Sequence, residues 1–228
     1  MAGWGEFGLA MAVFIGSHAL TARPRLKAPL VARLGHAGFG LAYSVLSIAL
    51  LTWIIIAAGR APYVPLWDFA PWQAWSALAL MLAASLLAAH ALAGVNPLSF
   101  GSRMTPFDPA HPGIAGVARH PVLWALALWA IAHLVANGDV AHVLLFAPMA
   151  LFALLGMAMI DRRKRRTMPD WAALARNTAL VPLAPLFTGR WHPGSPPLWP
   201  TLAGLGAWAL LIWLHPMVIG PDPLAALR

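Results

Sequence analysis

The stretch from Arg119 to Asp139, R-H-P-V-L-W-A-L-A-L-W-A-I-A-H-L-V-A-N-G-D, decides how the chain is read. Its middle is an uninterrupted apolar run of helix-forming residues. Pro121 suits a first helical turn, and Asn137-Gly138-Asp139 is a turn sequence that closes the run. It reads as a membrane-spanning helix with a histidine at each end, His120 and His133. Imidazole is costly in lipid, so two on one span need a reason. Thirteen residues separate them, which is about 20 Å of rise and roughly 140° of turn. They cannot serve one site together.

Outward from this helix the rest of the chain has the same character. Of its 228 residues, 61% are hydrophobic and 10% charged, where a soluble domain carries about 25% charged residues. The expected fold is an all-α, polytopic helical bundle in a membrane, a single domain over 1–228. There is no cysteine, which excludes disulfides, iron–sulfur ligation and thiol catalysis. A metal or cofactor would be held by nitrogen, oxygen or thioether, and nine histidines are available.

Six apolar runs approach the roughly 20 residues that a crossing needs: 4–20, 39–58, 72–94, 121–136, 140–160 and 201–219. No basic segment precedes the first, so Met1 to Leu20 reads as a retained span and not a cleaved signal. The fourth and fifth are separated only by the Asn-Gly-Asp turn and should form a tight hairpin. Of the fifteen Lys and Arg residues, all but Arg60 and Arg228 fall in the loops after spans one, three and five. By the positive-inside rule those loops are cytoplasmic and both termini periplasmic. The net charge of +8 is then a topology signal, not a nucleic-acid footprint. The basic run 161–166 would in addition attract anionic lipid head groups. Trp4, Trp67, Trp72, Trp75, Trp191 and Trp199 read as an interfacial belt. Residues 61–71 read as an external loop, and 95–118 as an irregular connector. Asp170 is placed to cap a short surface helix within 169–180.

This topology sorts the histidines by depth. His18, His36, His90 and His120 share the inner level, and His133 and His142 lie toward the outer side. His111, His192 and His215 fall in or near loops. For His18 and His133 two readings compete: a structural hydrogen bond between helices, or a haem ligand, proton relay or substrate contact. Haem iron takes a neutral imidazole whose second nitrogen is fixed by an acceptor. Asn137 and Asp139 stand within reach of the turn or of the second nitrogen of His133. Carboxylates are read as confined to loops and boundaries, which disfavours di-iron chemistry.

The pieces Arg119-His120-Pro121, Leu128-Trp129-Ala130, Ala132-His133-Leu134 and Ala136-Asn137-Gly138-Asp139 resemble the core motif of the NnrU family. So do Gly16-Ser17-His18, Arg33-Leu34-Gly35, Tyr43-Ser44, Asn96-Pro97, Asp161-Arg162-Arg163 and Gly189-Arg190, in order along nearly the whole chain. The resemblance implies a bacterial inner-membrane protein linked to denitrification and similar to the zeta-carotene isomerase, a haem b enzyme acting on a hydrophobic polyene. It implies His18 and His133 as ligands of haem b iron. It departs from the isomerase at Gly59-Arg60-Ala61, where that enzyme has a further histidine, and has His36 where the family usually shows Glu. A more distant resemblance links Arg119-His120-Pro121 to the Arg-His-Pro of isoprenylcysteine and phospholipid methyltransferases and of sterol reductases. It implies that Arg119 and His120 bind S-adenosylmethionine or NADPH at a cytoplasmic mouth, where an Arg can clamp a carboxylate or phosphate. Three functional classes therefore stand: a haem isomerase or redox factor with Asn137 near the site, a cofactor-dependent transferase or reductase, and a non-enzymatic assembly protein. None takes nucleic acid as partner; all sit among membrane lipid.

Overall fold

The computed structural model describes residues 2–21 and 23–227. Met1, the start of the first span, and Arg228, one of the two outer charges, lie outside the described residues. The described chain is helical, and its contacts divide it into two compact units. The first holds the residues up to Asp68 together with Gly138–Leu145, and the second holds Phe69–Asn137 and the residues from Phe146 onward.

In the first unit, α1 (Ala2–Thr21) packs against α2 (Pro24–Arg60). The pairing is antiparallel. Glu6, near the start of α1, accepts from Trp53 Nε1 at 3.4 Å and pairs with Arg60 at 3.3 Å, while His18 at the other end meets the ring of Tyr43. Phe7, Ala10, Ile54, Ala57 and Ala58 are buried; the small residues among them let the backbones approach. α2 is broken at Gly35, which adopts φ 71° and ψ 170°. A side chain there would be strained, so the glycine sets the corner.

The segment 61–70 is irregular, as expected of a loop, and is tied to the Asn-Gly-Asp turn. Val64 O accepts from Val140 N at 3.0 Å, and Gly138 O accepts from Leu66 N at 2.7 Å and Trp67 N at 3.2 Å. A Cβ on Gly138 would lie 2.1 Å from Trp67 O, so only glycine allows the clasp. Asp139 Oδ1 then accepts from Ala141 N and His142 N, capping the next helix. Its Oδ2 pairs with His142 Nδ1 at 2.6 Å.

In the second unit, α3 (Pro71–Ala93) packs on α5 (Pro121–Ala136) and on α9 (Leu198–Val218). Buried Gln73 joins α3 to α5. Its Oε1 accepts from Ala70 N at 2.5 Å, and its Nε2 donates to Val135 O at 2.7 Å. On α9, Trp208 Nε1 donates to Leu78 O at 3.1 Å. Short helices α4 (Ile114–Val117), α7 (Trp171–Ala175) and α8 (Ala184–Phe187) lie in the connectors. α6 (Val140–Thr167) begins in the first unit and continues through the second. There Leu123 and Ala127 of α5 share a buried cluster with Ala153 and Met157 of α6. This is the antiparallel hairpin expected across the Asn-Gly-Asp turn.

Four helices are long and apolar enough to cross a membrane: 25–60, 71–93, 140–167 and 198–218; α5 is a shorter apolar helix. A multi-pass all-helical membrane protein is the class this defines. Three expectations need correction. Carboxylates do occur within helices, as Glu6 of α1 and Asp161 of α6. Leu126, which helical spacing puts with Val122, Trp129, His133 and Asn137 on the face that reads in sequence as turned into the bundle, is 47% exposed, while Leu123, Ala127 and Ala130 are buried. Asp170 makes no side-chain cap, and the helix after it ends at Ala175.

Candidate functional site

The two ends of α5 carry the residues singled out by the sequence. At the first end, Arg119 and His120 are not at an open mouth. His120 is fully buried and Arg119 is 8% exposed. Both reach Asp161, which comes from α6. Arg119 Nη1 donates to Asp161 Oδ2, and His120 Nε2 donates to Asp161 Oδ1 at 3.0 Å. A carboxylate only accepts, which puts a proton on Nε2, and Nδ1 meets the Ser99 hydroxyl 2.9 Å away. Arg119 Nε donates to Thr178 Oγ1 at 2.8 Å, and Nη2 donates to Thr178 O at 3.1 Å. Thr178 Oγ1 in turn donates to Ala175 O.

The backbone around this ion pair is held as tightly. Arg119 N donates to Ala179 O at 2.9 Å, and Leu183 N to Val117 O at 2.8 Å. Asn96 Nδ2 donates to Arg119 O at 2.9 Å while its Oδ1 accepts from Leu98 N. Trp124 Nε1 donates to Leu180 O at 2.7 Å, and Lys164 Nζ to Pro97 O at 2.6 Å. The indole of Trp171 receives the guanidinium of Arg119 at 5.0 Å and that of Arg165 at 4.3 Å. The start of α5, the end of α6, the loop 94–103 and the segment 171–183 therefore close on one buried salt bridge. Such a pair is stable only if its remaining valences are met, and here they are met by named partners. Within 169–180 the expected short helix is α7, with Ala172 and Ala173 exposed and Ala175 buried, and Thr178 and Ala179 after it serve this network.

The second end is built differently. His133 Nδ1 donates to Trp129 O, one turn back, at 2.8 Å. A carbonyl only accepts, so Nδ1 carries a proton. The ring packs against Trp129 at 5.3 Å and Phe146 at 4.9 Å between centroids. The imidazole of His215, in the last turn of α9, lies 6.4 Å away at 26° to it. His215 Nδ1 donates to Pro221 O at 2.7 Å, which likewise puts a proton on that nitrogen. Asn137, expected beside the site, instead donates through Nδ2 to His133 O at 2.7 Å and closes the helix end. Asp139 is occupied with His142 and the start of α6.

His18 lies in the first unit. Its Nδ1 donates to Phe14 O at 2.8 Å, again one turn back, with the Phe14 ring 4.3 Å away. His18 and His133 thus share one local design: the proton is fixed on Nδ1 by a carbonyl of the same helix, and an aromatic ring at the preceding turn fixes the plane. Metal-bound histidines are oriented in this way, with the distal nitrogen donating to a carbonyl. The donor chemistry fits an iron porphyrin. His90 has another role. Thr201 Oγ1 donates to Pro197 O, so it accepts from His90 Nε2 at 3.1 Å, joining α3 to α9. Among the described residues, no three His, Asp or Glu side chains gather as a metal centre.

Asp161, Thr178, Ser99, Asn96 and His215 were missed as participants. Asp161 had a signal: it is the lone acid at the head of a basic run, at the point where the apolar pattern of α6 ends. Asn96 had one in Asn96-Pro97. Ser99 and Thr178 had none, and His215 was masked by its place near a chain end.

A helical membrane protein with histidines at matched anchoring positions is the class defined so far. The family model described as NnrU protein matches residues 6–223, so the chain belongs to the NnrU family. No curated protein and no solved structure matches it.

Proposed function

We propose that this NnrU-family protein is a haem b protein of the bacterial inner membrane, with His133 as a ligand of the iron. The observation that supports it is the common anchoring of His18 and His133, whose Nδ1 protons go to Phe14 O and Trp129 O. Those are the two histidines that the family resemblance selects for iron. His215, near-parallel to His133 in the same unit, is a further imidazole of the right tautomer. Bound haem would supply an iron able to share electron density with a conjugated or nitrogen-oxide substrate. The chemistry proposed on it is cis–trans isomerisation of a hydrophobic polyene, or a denitrification-linked redox step. The proposed topology keeps six spans with both termini periplasmic, from the distribution of Lys and Arg.

The reading in which Arg119 and His120 bind S-adenosylmethionine or NADPH is less well supported. An incoming carboxylate or phosphate would have to displace Asp161 from a buried guanidinium. The visible spectrum of freshly purified protein, oxidised and reduced, is the test. A Soret band that is lost or shifted in His133→Ala is the expected result. A wild-type protein with no Soret band, and none after haemin titration, would overturn the proposal. Retained haem with an unchanged spectrum in His133→Ala would remove His133 from it. His215→Ala and His18→Ala, read for a change of spin state, separate the second ligand. Incubating the protein in nanodiscs with a poly-cis carotene separates isomerisation from the redox alternative.

A further inference from the structure

The apolar stretch that contains α2 runs for 36 residues, from Arg25 to Arg60. At 1.5 Å per residue that is about 54 Å of helix, against a hydrocarbon core of about 30 Å. The whole of it cannot cross the membrane along one axis. The break at Gly35 divides it. Residues 36–60 make about 37 Å, enough for one crossing. Residues 25–34 form a separate limb on the near side of the corner.

Among the described residues this limb is left largely uncovered. Every residue from Arg25 to Leu34 except Val31 is exposed. A helix of this length is marginal in water, and Pro29 within it removes one of its few hydrogen bonds. Something must cover it, and its pattern says what. At about 100° per residue, Leu26, Leu30 and Leu34 fall on one arc roughly 80° wide. Arg33 borders that arc on one side by about 20°, and Lys27 on the other by about 20°. Ala28 and Ala32 lie on the opposite face. The three leucines are 45%, 44% and 51% exposed. Lys27 Nζ stands 5.3 Å from the ring of Phe39, across the break, so its ammonium sits where limb and span meet.

A leucine stripe rimmed by cations, continuous with a transmembrane helix, is complementary to a lipid surface. The apolar arc enters the acyl boundary, and the flanking cations reach back to phosphates. We infer that residues 25–34 form an amphipathic helix lying in the membrane interface, held there by anionic lipid head groups through Arg25, Lys27 and Arg33. This role does not depend on haem.

The absence of cysteine makes a direct test simple. Single spin labels are placed at Leu26→Cys and Leu30→Cys on the stripe, and at Ala28→Cys and Ala32→Cys opposite, in the full chain. The protein is reconstituted in nanodiscs of phosphatidylcholine with phosphatidylglycerol, or of phosphatidylcholine alone. Accessibility to oxygen and to a soluble nickel chelate is measured. The expected result is oxygen preference at 26 and 30 and nickel preference at 28 and 32. That contrast should fall at least twofold without the anionic lipid, and in the charge-reversed R25E/K27E/R33E chain. The lipid comparison needs no charge variant, so it stands even where the reversed chain fails to fold. Equal nickel access at all four sites would overturn the inference. So would labels at 26 and 30 shielded from both reagents, or dipolar broadening between copies, which would mean that protein covers the stripe. A contrast unchanged by lipid charge would also overturn it.

Discussion

Just ahead of its first turn α5 has His120, with both ring nitrogens engaged by side chains of other segments, Ser99 and Asp161. At its last turn it presents His133 with Nδ1 engaged by a carbonyl of its own helix. Both histidines stand at the ends of one apolar rod, yet their Nδ1 atoms are engaged differently. His120 and Arg119 bind the fold to itself, since their donors and acceptors meet groups from three other parts of the chain. His133 gains orientation from its helix and its aromatic neighbours without its Nδ1 joining one segment to another. A buried polar residue that links segments is argued to be architectural. One whose tautomer and plane are set locally is argued to be presented for something else.

The sharpest way to break this comparison is at Asp161. Asp161→Ala leaves the Arg119 guanidinium buried without its counter-charge, and the expected loss of stability is about 3–5 kcal/mol. Thermal unfolding in detergent measures it. The paired replacement Arg119→Met with Asp161→Leu should recover most of that loss, because apolar residues of similar volume replace a buried pair well. If Asp161→Ala costs no more than a change at His133, the two ends are alike and the distinction fails.

His120→Phe is expected to cost less, about 1–3 kcal/mol, because it leaves Ser99 and one carboxylate oxygen unmatched. It should not change a haem spectrum. His133→Phe keeps the aromatic packing, and its effect on unfolding should stay below about 1.5 kcal/mol. Its effect on the Soret band should be complete. This crossing of outcomes, stability at one end and spectrum at the other, is the strongest form of the comparison.

The smallest effect lies outside the spans. In the connector before α4, His111 donates to Asp108 at 2.7 Å in an exposed pair. That hydrogen bond, with one from Ala110 N, holds the Asp108 carboxyl below its ordinary value. A depressed acid contributes stability above its unfolded pKa of about 3.9 and loses it as pH falls through the folded value. Denaturation measured from pH 5 downward should therefore show a slight acid-side decline that Asp108→Asn removes. The decline should be far smaller than the loss at Asp161, because the Asp108 pair is exposed to solvent. A larger effect than that at Asp161 would reverse the ranking of exposed and buried pairs.

Much of the helical architecture was legible because lipid leaves few choices. Backbone polar groups in hydrocarbon must be satisfied within the segment, so long apolar runs become helices. Pro121 and Asn137-Gly138-Asp139 marked the limits of α5 for simple local reasons. Arg119 and His120 were legible as important but not in what they do. Charge next to a span looks the same in sequence whether it faces water or a carboxylate. Only the approach of Asp161, 42 residues on, decides between them. The same holds for His215, which its position placed in or near a loop and which α9 brings to within 6.4 Å of His133.

By itself, then, the sequence determined the helical class, the ends of the central helix and the histidines worth following, because hydrophobic length and turn chemistry act locally. The tertiary structure alone decided which groups meet each of those histidines, Asp161 and Ser99 at His120 and the rings of Phe146 and His215 at His133, because the partners of a buried side chain come from distant parts of the chain.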